Sequence, residues 1–130
     1  MLETASTKPK LPTIAQIQAA IVSGKSKYGT VIQRGGCGRV YVCLGSVGDP
    51  FASAEQQKRD KALTKAIRNR VKDAAQAMNL LYLKKAYGVG NHALYIGYDN
   101  GTSIAWSQGE QVAKNLKALG VDAYVDGMGD

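Results

Sequence analysis

Five basic side chains carry the sharpest chemical signal in this sequence. Lys58, Lys61, Lys65, Arg68 and Lys72 follow one another at spacings of 3, 4, 3 and 4 residues. At ~100° per residue such spacing puts all five in one stripe on an α-helix, roughly opposite an apolar face. At ~1.5 Å rise per residue the stripe extends ~21 Å. No acidic residue falls inside it, and Asp60 and Asp73 are expected to project from other sides. A solvated helix usually mixes signs to gain i,i+4 pairs, which this one forgoes. Like charges in a row repel unless an anion lies against them. A nucleic-acid backbone meets that need, because each neutralised phosphate releases counterions.

Further cations surround the stripe. Arg59 and Arg70 flank it, and Lys84 and Lys85 follow it. Arg34, Arg39 and Tyr41 are expected to extend the basic patch from a β-hairpin, with Tyr41 exposed beside the two arginines. The chain has 17 Lys and Arg against 10 Asp and Glu, a net charge of +7. That balance favours phosphate polymers or acidic protein surfaces as partners. The charge is also uneven: residues 1–98 hold 15 of the basic and 5 of the acidic side chains. The acidic C-terminal part, with Asp122, Asp126 and Asp130, is expected to lie away from a polyanion.

Other motifs point to structure more than to chemistry. The Gly35-Gly-Cys-Gly38 turn lacks the helix and lysine that complete a phosphate-binding P-loop, so it reads as a hairpin turn. Tyr95 and Trp106 are expected to pair across a second hairpin and to pack in the core; if exposed, they would offer bases a stacking surface. His92 is the lone histidine, and the sequence ties no acid or nucleophile to it. Tyr28-Gly-Thr-Val31 with Tyr41-Val42 loosely resembles the opening hairpin of GIY-YIG nucleases. The first signature lacks its second tyrosine, since Thr30-Val31 follow Gly29, and Cys43-Leu44 interrupt the second. That resemblance would give Arg59 and Glu110 catalytic roles; no catalytic residue is assigned.

The elements that must position these residues follow from periodicity. Residues 1–11 read as a flexible basic arm, and 12–130 as one α+β domain. Thr13 and Gln16 form a capping box for a short helix with Ile14, Ile17 and Ile21 on one side and Gly24 as C-cap. A hairpin follows, its second strand Arg39–Leu44 turning Val40, Val42 and Leu44 to the core. Ser53 and Gln56 cap the long helix, which is expected to run to about Leu81 with Leu63, Ile67, Val71, Ala74 and Met78 inward. Strands His92–Asp99 and Thr102–Trp106 around Asn100-Gly101 read as a type I′ hairpin, with Tyr95 opposite Trp106 and Gly97 opposite Ile104. Ser107 and Glu110 are expected to cap a third helix ending at Gly120, and Val121, Ala123 and Val125 alternate as a last strand.

The expected fold is therefore α+β in the order α-β-β-α-β-β-α-β: an antiparallel sheet from two β-hairpins with helices on one face. Cys37 and Cys43 are expected to be reduced, and no cofactor or metal is implied. No apolar run reaches the ~18 residues of a membrane span, and the N-terminus has no signal-peptide pattern. The expected location is the cytoplasm, of a cell or of an infected host. The leading expectation is a small non-enzymatic basic protein binding DNA or RNA with little sequence specificity. A viral or mobile-element inhibitor docking on an acidic surface of a nucleic-acid-handling complex stands second, and a metal-dependent nuclease third.

Overall fold

The computed structural model describes residues 11–26, 38–46, 48–85, 91–99 and 104–129. Three helices and four strands follow in the order α1 (Ile14–Ser26), β1 (Gly38–Leu44), α2 (Ala54–Ala77), β2 (Tyr82–Lys85), β3 (Asn91–Asp99), α3 (Ile104–Ala118) and β4 (Ala123–Gly129). The strands form one antiparallel sheet in the order β2-β3-β1-β4. The α+β class and antiparallel sheet agree with the sequence reading. Residues 1–10 of the arm, Arg34, Cys37, the expected first hairpin strand and the Asn100-Gly101 turn lie outside the described residues, while Leu11 packs against the core.

Each strand alternates between two faces, and the alternation decides the core. Val40, Val42 and Leu44 of β1, Leu94 and Ile96 of β3 and Ala123 of β4 join one buried cluster with the helices. Ile17, Ile21, Val71, Val112 and Leu116 meet them from α1, α2 and α3. Fully burying an aliphatic side chain of this size contributes roughly 1.5–3 kcal/mol, so these residues dominate the hydrophobic term. Tyr41, Cys43 and Ala93 form a second, smaller cluster with Leu83 and Tyr95 packed against it. No helix among the described residues is long and apolar enough to cross a membrane.

Local chemistry fixes the helix ends. The backbone N–H of Gln16 donates to Thr13 Oγ1 at 3.0 Å, and the Thr13 N–H donates to Gln16 Oε1 at 2.9 Å, completing the expected capping box. Ser53 accepts from the Gln56 N–H at 3.2 Å at the start of α2. Gly120, at φ +87°, ends α3: its N–H reaches the Lys117 carbonyl, and the Val121 N–H reaches that of Leu116.

Several expectations need correction. Gly24 is no cap, since α1 continues to Ser26. A Cβ at Gly24 would lie 2.6 Å from Val112 Cγ2, so the glycine lets α1 and α3 approach closely. Helix α2 stops at Ala77 rather than near Leu81, because Asn79 turns left-handed at φ 59°. The Asn79 N–H then donates to Gln76 and that of Leu80 to Ala75, the same capping pattern with asparagine in the place of glycine. The freed segment forms the unexpected strand β2. Ile104, Ala105 and Trp106 are not strand residues but open α3, and Ser107 and Glu110 are interior helical positions. Consequently Tyr95 pairs with Tyr41 rather than Trp106, and Gly97 with Val40 rather than Ile104.

Candidate anion-binding groove

The stripe does form on α2: Lys58, Lys61 and Lys65 are exposed, while Arg68 and Lys72 are half-buried. Thr64, 6 % exposed, and fully buried Ala75 widen the buried arc of the helix toward the stripe. Arg68 lies only about 40° from Thr64 at ~100° per residue, and it is half-buried. One of its terminal nitrogens donates to the Leu44 carbonyl at 3.3 Å, reaching over the C-terminal end of β1. Its Nε is buried with no hydrogen-bond partner.

The result is a groove rather than a flat face. An open concavity of about 990 Å³ lies between α2, the loop before it and the β2–β3 ladder. Lys58, Lys61, Lys65 and Arg68 line it from α2, and Lys84 and His92 line it from β2 and β3. Lys72, one turn beyond, is half-buried and outside the lining. Asp49 and Asp60 also line the groove at the loop side, so its wall is not wholly basic. No described carboxylate pairs with Lys58, Lys61, Lys65 or Lys84.

The loop wall is built by specific contacts. The Asp49 carboxylate accepts from the Phe51 N–H at 2.8 Å, and the Asp49 carbonyl from the Ala52 N–H at 3.1 Å. The Gln57 side-chain amide donates to the carbonyls of Pro50 at 2.7 Å and Ala52 at 3.1 Å. Gly48 adopts φ +113°, and any Cβ there would run into the Asp60 carboxylate. That carboxylate also accepts from the Gln56 side-chain amide at 2.8 Å. The Asp49 carboxylate is thereby engaged within the loop, and the Asp60 carboxylate is held by Gln56 within α2.

At the sheet end, Lys84 and His92 lie between the Leu83–Ala93 and Lys85–Asn91 pairs of the β2–β3 ladder. His92 has φ 56°, a left-handed conformation uncommon outside glycine and met with in histidine more than in most residues. Its Nδ1 lies 3.2 Å from the Tyr82 hydroxyl. Burial lowers the His92 pKa, and the charges of Arg68 and Lys84 lower it further. Burial pushes the Tyr82 phenol up to about 12, against an opposing pull from Arg68. With His92 neutral and Tyr82 protonated, the hydroxyl can donate to Nδ1, which leaves the ring proton on Nε2.

The hairpin side of the expected patch is not assembled. Tyr41 is 4 % exposed and packs edge-on against Tyr95 with ring centroids 5.5 Å apart. It belongs to the small cluster on the second face of the sheet, since it alternates with core residues Val40 and Val42. Arg39 is exposed on β1 and is not part of the groove lining. Arg70 turns away to donate to the Pro12 carbonyl at 3.0 Å, tying α2 to the start of α1. Arg59 donates to Gln56 at 3.2 Å, and Glu110 is exposed on α3.

Lys84 and His92 are the groove residues that the stripe alone did not reveal. Their signal was the pair of lysines after α2, which became legible as part of the site only once β2 was recognised as a strand. Among the described residues, no group of three His, Cys, Asp or Glu side chains could hold a metal ion. Cys43 is buried and forms no disulfide among those residues. Comparison with protein-family models, with characterised proteins and with solved structures found no match.

Proposed function

We propose that this protein binds nucleic acid without catalysis, through the groove lined by α2. The observation that carries this reading is the convergence of Lys58, Lys61, Lys65, Arg68 and Lys84 on one concave surface. Among the described residues, the acids on that surface are Asp49, which accepts from the Phe51 N–H, and Asp60, which accepts from the Gln56 side-chain amide. Five cations held this close raise the local potential and favour a ligand that carries regularly spaced negative charge. Backbone phosphates supply it, and their contacts position a strand without reading its sequence. The same balance of charge, +7 over the whole chain, adds long-range attraction.

Chemical-shift mapping tests the reading. Addition of a short oligonucleotide to isotopically labelled protein should shift amides along 58–69 and at Lys84 and His92, and leave α1 and β4 unmoved. Shifts confined to other surfaces, or none at low salt, would overturn it. In the second case an acidic protein surface becomes the partner to seek.

A further inference from the structure

We infer that the groove takes a single strand and that Phe51 is the platform on which one of its bases stacks. This deepens the reading above and rests on it. Phe51 is 93 % exposed, the most exposed large apolar side chain among the described residues. The exposure is not that of an unanchored loop. Asp49 fixes the Phe51 N–H, and Gln57 clasps the carbonyls on either side of it, those of Pro50 and Ala52.

Sequence places the ring next to the groove wall: Phe51 directly follows Pro50, which lines the groove, in the turn that leads into α2 and its lysines. An exposed aromatic on a fixed turn adjoining a cationic groove is the combination that single-stranded nucleic acid requires: the cations track the backbone while the ring meets a base face. In a duplex the base faces are covered by their neighbours, so only an unpaired base can use the ring. The stacking is tolerant of sequence because every base has a π-face. An exposed ring with nothing to stack on would add to an acidic protein surface only if that surface also offered an apolar pocket, whereas a nucleotide carries both parts in one unit.

The test compares Phe51→Ala and Phe51→Trp with the wild-type chain by anisotropy. The probes are a labelled mixed-sequence single strand, its duplex and polyglutamate of equal charge. Phe51→Ala should weaken single-strand binding roughly 5- to 100-fold, the range of one lost stacking contact. Duplex affinity and the salt slope should stay as they were, because no cation is removed. Phe51→Trp should restore or tighten the single-strand complex, and unchanged thermal melting of both variants verifies the fold. Single-strand binding that is lost in Lys61→Ala/Lys65→Ala but unaffected in Phe51→Ala would overturn the stacking inference and leave the groove reading standing. Failure of every oligonucleotide to bind, or tighter binding of polyglutamate, would overturn both.

Discussion

A terminal nitrogen of Arg68 donates to the Leu44 carbonyl at 3.3 Å, so one cation of the α2 stripe is also a structural clasp on the end of β1. The position joins two roles: it holds α2 against the sheet and supplies positive charge to the groove floor. Arg68→Ala is expected to lower stability by about 1.5–3 kcal/mol, the range for a hydrogen bond involving a charged group. Arg68→Lys keeps the charge but not the fork geometry, and should recover affinity more fully than stability. Urea unfolding and anisotropy on the two variants separate the roles.

His92 gives the groove a proton-linked readout. Burial, Arg68 and Lys84 all lower its pKa, so in the free protein it should titrate below the ordinary 6.5. The neutral form is then favoured in the folded state. This contribution to stability is present above the unfolded value near 6.5 and is lost as pH falls from there through the folded pKa. A polyanion in the groove offsets the two cations, so bound nucleic acid should raise the His92 pKa and affinity should increase as pH falls toward 6. Imidazole resonances followed with and without oligonucleotide check both directions.

Tyr41 separates the structural account from the surface patch expected from the sequence. It is buried against Tyr95, so Tyr41→Ala should cost about 3–5 kcal/mol, as truncation of a core aromatic does. Groove affinity measured on the folded fraction should hardly change. A stable Tyr41→Ala protein with weakened binding would return the residue to the interface.

Gly24 tests the packing that supports the helical layer. Its missing Cβ leaves room for Val112, and Gly24→Ala should destabilise by about 1–3 kcal/mol through overpacking between α1 and α3. Denaturant midpoints for Gly24→Ala alone and combined with Val112→Ala are the measurement. Because that Cβ would also meet the Val112 backbone N and Cα at 2.7 and 2.8 Å, the second change should relieve little of the cost of the first.

Much of this molecule was legible where local signals and burial agreed. The Thr13–Gln16 and Ser53–Gln56 caps, the inward run Ile67–Val71–Ala74 and the alternation Val40–Val42–Leu44 all appear as their spacing implies. The sequence misled where two elements shared a signal. Thr-Ser-Ile-Ala-Trp after Asn-Gly has strand-like composition, yet Ala105, Gly109, Val112 and Leu116 already carry the helical period that buries α3. The end of α2 was missed because asparagine, not glycine, turns the chain at position 79.

The candidate site was half legible for a related reason. Spacing along one helix identified Lys58, Lys61, Lys65 and Arg68, since it needs only the helix to be right. It could not show that Ser46, Gly48, Asp49 and Pro50 before α2, with Lys84 and His92 of the sheet, join the stripe in lining a groove, nor that Tyr41 faces inward. Phe51 carried no periodic signal at all, being placed in a turn of Asp-Pro chemistry where exposure depends on tertiary packing.

The most direct test of the central claim is the salt dependence of oligonucleotide binding in the Lys58→Ala/Lys61→Ala/Lys65→Ala protein beside the wild type. Each phosphate contact contributes a slope of roughly 0.7 in log K against log salt for a single strand. The triple variant should therefore bind more weakly at low salt and show a slope flatter by about 2. Equal affinity and equal slope in the two proteins would contradict the groove as the nucleic-acid interface.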